Sequence, residues 1–281
     1  MSASFLSREE YIEQAYFFHA MRERLTQELS TQDVLNNVHQ EILSTTRLPM
    51  AIQFLATELR HSGMLSTGFE RLSHYFTPYQ TFIMKGTELE NHRFDISAAL
   101  LVLEREAEYR SKSPTLPGLF IYQFEVLCRN RLGYDDGLAA MAGDWFYPDE
   151  WKEFIRWLNA QVGVVEVASL IYLRSTLYVM DTRRERPNYE PSLPPLFEEK
   201  EGKIAKANQG NDPLYLFAAL QRQLGYPEVP RPQPKDDLRS KFAALQQQLK
   251  ELEMRVKLLE SEARDDVDLT QFGKPEIFDD D

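Results

Sequence analysis

The most apolar stretch of this 281-residue chain, VGVVEVASLIYLRSTLYVM at residues 162–180, limits the folds open to it more than any other segment. On a helical wheel its apolar residues fall on nearly every side, the mark of a helix buried all round. Val162, Val164, Val165 and Val167 alone would suit a short strand, but strands run only ~4–8 residues and this pattern continues through Tyr178. The stretch therefore predicts a core helix on which its neighbours pack. Glu166 and Arg174 interrupt it, whereas a membrane-crossing helix needs ~20 residues with few or no charges. No membrane anchor is expected. Two charges in an apolar helix must find partners or reach water, so Glu166 and Arg174 either pair or line a site.

The residues before this stretch read as a succession of helices. Ser7 with Glu10 forms a capping box ahead of Tyr11, Ala15, Phe18, Leu25 and Leu29. Thr31 caps a second helix through Ser44, and Pro49 opens a third that carries Ile52, Leu55 and Leu59 and stops near Gly63. Thr67 with Glu70 repeats the capping box for a short fourth helix before Pro78. Residues 78–110 continue as two helical pieces, because Gly86 costs ~1 kcal/mol in a helix interior and Asp95 offers a second start. In the second piece Ile96, Leu100, Leu103 and Ala107 form the buried stripe, and the run Glu104, Arg105, Glu106, Glu108 and Arg110 reads as a solvated face. Residues 119–131 are strongly apolar, with Phe120, Phe124 and Leu127 at helical spacing and a strand as the alternative. Gly133 and Gly137 bracket an expected loop. After Pro148, Trp151, Phe154, Ile155 and Leu158 trace a helical stripe.

Composition changes past Arg186. PNYEPSLPPLF holds four prolines and predicts an extended strap, so the first domain is expected to span residues 1–186. The strap region, 187–234, contains a short helix at about 213–224, in which Leu216, Phe217, Leu220 and Leu224 dock back on the core. A second proline-rich spacer follows. Over residues 235–264 the positions Leu238, Phe242, Leu245, Leu249, Leu252, Val256, Leu259 and Ala263 then alternate spacings of four and three. This is a heptad seam with leucine at every d position, the pattern of a parallel two-stranded coil. Its pairs between chains would be Lys241 with Gln246, Gln248 with Glu253 and Arg255 with Glu260, none of them repulsive. The seam spans only about four heptads, so one amphipathic helix folded back on its own domain is the alternative.

Of the net charge of −12, the last 17 residues hold seven acids and one lysine, −6 in all. This acidic tail, 265–281, sets Phe272, Ile277 and Phe278 among carboxylates, either as a partner-binding motif or as a solubilising end. The body is mildly acidic and its one dense basic cluster is Arg183, Arg184 and Arg186, which disfavours nucleic acid as a partner. The single cysteine, Cys128, excludes an internal disulfide framework and a cysteine-rich zinc site, and the amino terminus meets charge within eight residues without an apolar run. A cytoplasmic protein without a secretory signal is the expectation.

Chemistry-bearing patterns are few. Glu58 and His61 make an E-x-x-H on a helix, the half-motif of a carboxylate-bridged metal site, but no second copy accompanies it. Glu125 and Arg129, with Glu166 and Arg174, suggest a buried polar cluster that either fixes packing or holds a small ligand between helices. Cys128 sits in an apolar run beside basic residues and reads as a buried, inert thiol. Nucleophile elbows, P-loops and G-x-G-x-x-G turns are absent from the sequence. The expectation is an all-α, non-enzymatic protein without a cofactor or bound metal. It would dimerise in parallel through the seam Leu238, Phe242, Leu245, Leu249, Leu252, Val256 and Leu259, and bind a protein partner. The alternative is a helical bundle with a metal or ligand site around Glu58 and His61 or Glu166 and Arg174.

Overall fold

The computed structural model describes residues 6–89, 94–230, 249, 250 and 252. The chain divides into two compact units, Met1–Pro232 and Gln233–Asp281, so the strap region beyond Arg186 shares a unit with the helices before it. Among the described residues the first unit is all-helical, as expected, with no strand.

Helix α1 (Arg8–Thr26) lies along α6 (Ile96–Ser111) in the most extensive pairing of the unit. Phe17, Phe18 and Met21 of α1 and Leu100, Leu103 and Ala107 of α6 are fully buried. Beside them run α2 (Thr31–Val38), α3 (Leu48–Ser62), α4 (Leu65–Arg71) and α5 (Pro78–Glu88). Ser30 rather than Thr31 caps α2, through the Asp33 N–H at 3.1 Å. As expected, Pro49 opens α3 and Gly63 closes it in the left-handed conformation, with φ 72°. Asp95 caps α6 through the Ala98 N–H at 2.9 Å. Helices α7 (Leu116–Asn130), α8 (Tyr134–Gly143) and α9 (Asp149–Gln161) follow, and the stripe Trp151, Phe154, Ile155 and Leu158 of α9 is buried.

Three expectations fail here for tertiary reasons. The stretch 162–180 is not one helix. Gly163 turns the chain at φ 90°, Val164 is 82% exposed, and α10 (Val167–Leu173) and α11 (Thr176–Glu185) are separate. The returning strap causes the second break. The Leu196 and Phe197 N–H groups donate to the Arg174 carbonyl at 2.8 and 3.1 Å, and the Thr176 N–H donates to the Phe197 carbonyl at 3.0 Å. Backbone groups that would continue a helix are taken by another segment. The helix buried all round is instead α7, in which every residue from Gly118 to Leu127 is buried.

Secondly, Gly137 lies inside α8 and not in a loop. A Cβ there would sit 2.7 Å from the Leu127 methyl carbons, so glycine serves close approach of α8 to α7. Thirdly, Thr67 does not cap α4. That helix begins at Met64 with no side-chain cap of its own. The Glu88 carboxylate, from the end of α5, accepts the Leu65 N–H at 2.5 Å and the Ser66 N–H at 3.1 Å.

Beyond the strap, α12 (Glu199–Ala207) and α13 (Pro213–Leu224) complete the unit. Phe197 is buried among Phe120, Trp151 and Phe154 at centroid distances of 6.2, 5.4 and 5.8 Å. Leu216, Phe217 and Leu220 of α13 are buried, as the docked-helix expectation required.

The borrowed cap gives a test. Glu88→Ala leaves two N-terminal donors of α4 without their acceptor, and loss of a capping acceptor typically costs ~1 kcal/mol, up to about 2. Urea unfolding of the variant should show a loss of that size, whereas Thr67→Ala should leave the midpoint nearly unchanged.

Candidate functional site

One group of buried polar side chains joins α6, α7 and the end of α8. Glu106 and Arg110 stand at i and i+4, on the face of α6 that also carries Ala99 and Leu103, and so enter the core with it. Their side chains are 0% and 1% exposed. Arg110 Nη2 donates to Glu106 Oε1 at 3.0 Å and to Asp144 Oδ2, which stands at the end of α8 and is itself 0% exposed. Gln123 of α7 donates to Glu106 Oε1 at 2.7 Å, and the Tyr147 hydroxyl donates to Gln123 Oε1 at 2.8 Å. The guanidinium also lies 5.6 Å from the Phe146 ring and 5.9 Å from the Tyr11 ring. The run 104–110 is therefore not a solvated face throughout. Period 3.6 carries Glu106 and Arg110 inward while Glu108 stays outside.

Charge counting decides the chemistry of this group. Two carboxyls face one guanidinium where water does not reach. Burial raises the Glu106 pKa, Arg110 lowers it in part, and the nearby Asp144 charge raises it again. Burial alone would lower the Arg110 pKa, but Asp144 and then Glu106 outweigh that and hold it well above its usual value. Burial and the Asp144 charge thus push Glu106 toward its neutral form, Arg110 opposes this, and Arg110 itself is held charged by the carboxyls around it. Among the described residues Arg110 Nε and Nη1 and Glu106 Oε2 have no hydrogen-bond partner, and both side chains are closed to solvent. The group is a clamp between helices.

A second buried carboxylate, Glu10, accepts the Arg47 backbone N–H at 2.9 Å and the Tyr75 hydroxyl at 2.6 Å. The sequence assigned Glu10 to a capping box, yet its side chain reaches across to the start of α3.

The residues expected to form one polar cluster are held apart by different partners. Glu125 pairs with Arg129 and accepts the Tyr226 hydroxyl at 2.6 Å, which pins the segment after α13 onto α7. Burial and then the Glu125 charge raise the Tyr226 pKa far above that of a free phenol. Glu166 is exposed and accepts the Gly210 N–H at 2.9 Å. Arg174 donates to the Pro194 carbonyl at 3.1 Å and lies 5.4 Å from the centroid of the Phe154 ring. It borders a cavity of about 170 Å³ with Glu150, Glu153, Trp157 and Leu193.

Glu58 and His61 also part company. Glu58 is buried and accepts Arg71 Nη1 at 2.7 Å, while His61 faces solvent. Among the described residues no three His, Cys, Asp or Glu side chains stand together as metal ligands. Of the basic run, Arg184 pairs with Asp181 at 3.2 Å and Arg183 donates to the Tyr189 carbonyl at 3.0 Å. Cys128 is half-buried, and burial pushes its thiol pKa up to about 11. The candidate partner residues Phe272, Ile277 and Phe278 lie outside the described residues, as do the seam residues Leu238, Phe242, Leu245, Val256 and Leu259.

No family model matches the chain, and no curated protein or solved structure is significantly similar to it.

The clamp and the thiol each give a prediction. Glu106→Gln keeps an oxygen to accept from Arg110 and Gln123 without the charge, and should fold with nearly native stability. Asp144→Asn leaves Glu106 as the carboxyl that balances Arg110, whereas the double variant Glu106→Gln, Asp144→Asn leaves a buried charge without either partner and should cost ~3–5 kcal/mol in urea unfolding, more than either single variant. Because the folded-state pKa of Glu106 is raised, its contribution is complete below the unfolded value of 4.5 and declines as pH climbs above it. Wild-type stability should therefore fall relative to that of Glu106→Gln as pH rises from 4.5. For Cys128, a pKa two units above 9.0 leaves about one hundredth of the usual thiolate at neutral pH. Its reaction with a disulfide reagent should be slower than that of a free thiol by that order, and should recover on unfolding.

Proposed function

We propose that this chain is a non-enzymatic interaction protein of the cytoplasm, which forms a parallel dimer through residues 235–264 and offers its helical body to a protein partner. The support lies in Leu249 and Leu252, an a and a d position of the seam. Both are helical and both are 58% exposed. Two successive leucines at interface spacing, left open to water in the single chain, gain free energy when a second copy covers them. Heptad spacing continues on either side of them in the sequence. The polar groups of the interior add to this reading, since they are engaged in holding helices together. No described helix is long and apolar enough to cross a membrane.

Light-scattering mass at micromolar concentration tests the proposal. Full-length protein should have twice the chain mass of 32.8 kDa. A truncation ending at Pro234 and a Leu249→Glu, Leu252→Glu variant should both run as single chains. A monomeric full-length protein, or a dimeric truncation, overturns it.

A further inference from the structure

The cavity beside Arg174 has a composition that its structural role leaves unexplained. Glu150, Glu153 and Trp157 stand at i, i+3 and i+7 on α9 and so share one face of the helix. Trp157 is 40% exposed and Leu193, on the strap opposite, is 52% exposed. Large apolar side chains open to water around a concave site are typical of contact hot spots, in which tryptophan is enriched. At about 170 Å³ the space is smaller than the ~300–1,000 Å³ of pockets that take drug-sized ligands. It is the size of one side chain.

The charges choose which one. Arg174 is engaged from within, by the Pro194 carbonyl and the Phe154 ring. Burial lowers its pKa, and the charges of Glu150 and Glu153 work against that lowering. One guanidinium answers only one of the two carboxylates, so a single negative charge is left at the mouth beside an exposed indole. A planar cation fits this arrangement. It can stack on Trp157, fork its N–H groups onto a carboxylate, and lay its aliphatic stem against Leu193. Lysine matches the charge but lacks the plane and the fork.

We propose that this pocket receives one arginine side chain from a partner protein. The assignment deepens the interaction reading and rests on it only for the nature of the partner. Its test does not depend on oligomeric state.

The probe is N-acetyl-L-arginine methylamide, which presents the side chain on a blocked backbone. It is titrated into the millimolar range against the full-length protein, and the three tryptophan indole N–H signals are followed by NMR. Trp157→Phe assigns the Trp157 signal. A saturable shift of that signal, with Trp145 and Trp151 unmoved, is the expected result. In a Glu150→Gln, Glu153→Gln variant the affinity should fall about tenfold, since both substitutions lie on an exposed face and remove only the charge. No saturable shift at Trp157 overturns the proposal, as does a shift unchanged in the double variant. An equal response to the lysine analogue refutes arginine selectivity. Much tighter binding of free arginine would show a pocket that reads the amino-acid backbone, which also refutes a protein side chain as its occupant.

Discussion

Arg110 is the point on which the interior depends. It joins α6 to the end of α8 through Asp144, and with Glu106 and Gln123 it ties α6 to α7. An isolated guanidinium in such a place would be prohibitively costly, and a buried ion pair seldom exceeds an apolar replacement in stability. What it supplies is geometry. The helices can slide over one another only by breaking charged hydrogen bonds that water cannot replace. Burial and the Asp144 charge raise the Glu106 pKa, which moves the group away from an excess of carboxylate. Tyr147 and Gln123 carry the same network into α7, the helix enclosed on every side.

Acidic side chains also finish helices that lack caps of their own. Arg47 at the start of α3 and Met64 at the start of α4 provide no capping oxygen. Glu10 accepts the Arg47 N–H and Glu88 accepts those of Leu65 and Ser66. Glu13 and Glu166 accept backbone N–H groups outside the helices, of Leu43 and Gly210, 30 and 44 residues away. The first N–H groups of any helix need acceptors, and at α4 one distant glutamate supplies two of them. Part of the acidity of the body is accounted for by this service, and such residues are not free for chemistry. That is why the interior offers a clamp and a set of staples, and why the functional proposals rest on exposed features: the leucines of the seam and the open tryptophan of α9.

How much of this was legible in the residues follows from the range of the interactions involved. Helices begun by their own proline or aspartate, as α3 and α6 are, could be read locally, and so could the amphipathic stripes of α9 and α13. Apolar residues at 3.6 spacing must be covered wherever they occur, so those stripes named their buried faces correctly. Glu106 and Arg110 carried a faint signal in sharing a face with Leu103, but a run of five charges looks like a wet surface until Asp144, 34 residues on, is known to meet it. Glu58 and His61 kept the spacing of a metal motif without the geometry, because the two sides of α3 face core and solvent.

The sequence by itself determined the helical character of the described residues, the limits of α3, α6 and α13, the docking of α13 and the heptad spacing of the C-terminal part, since these depend on propensity, period and nearby caps. Only the tertiary structure decided which helix is central, where residues 162–180 break and which charges are buried. The most apolar stretch lost its place to α7 because Phe197, returning along the strap, took up the backbone groups at 174–176 that a continuous helix needs. A hydrogen bond to a distant segment can outweigh local preference, and nothing in local composition records which segment will arrive.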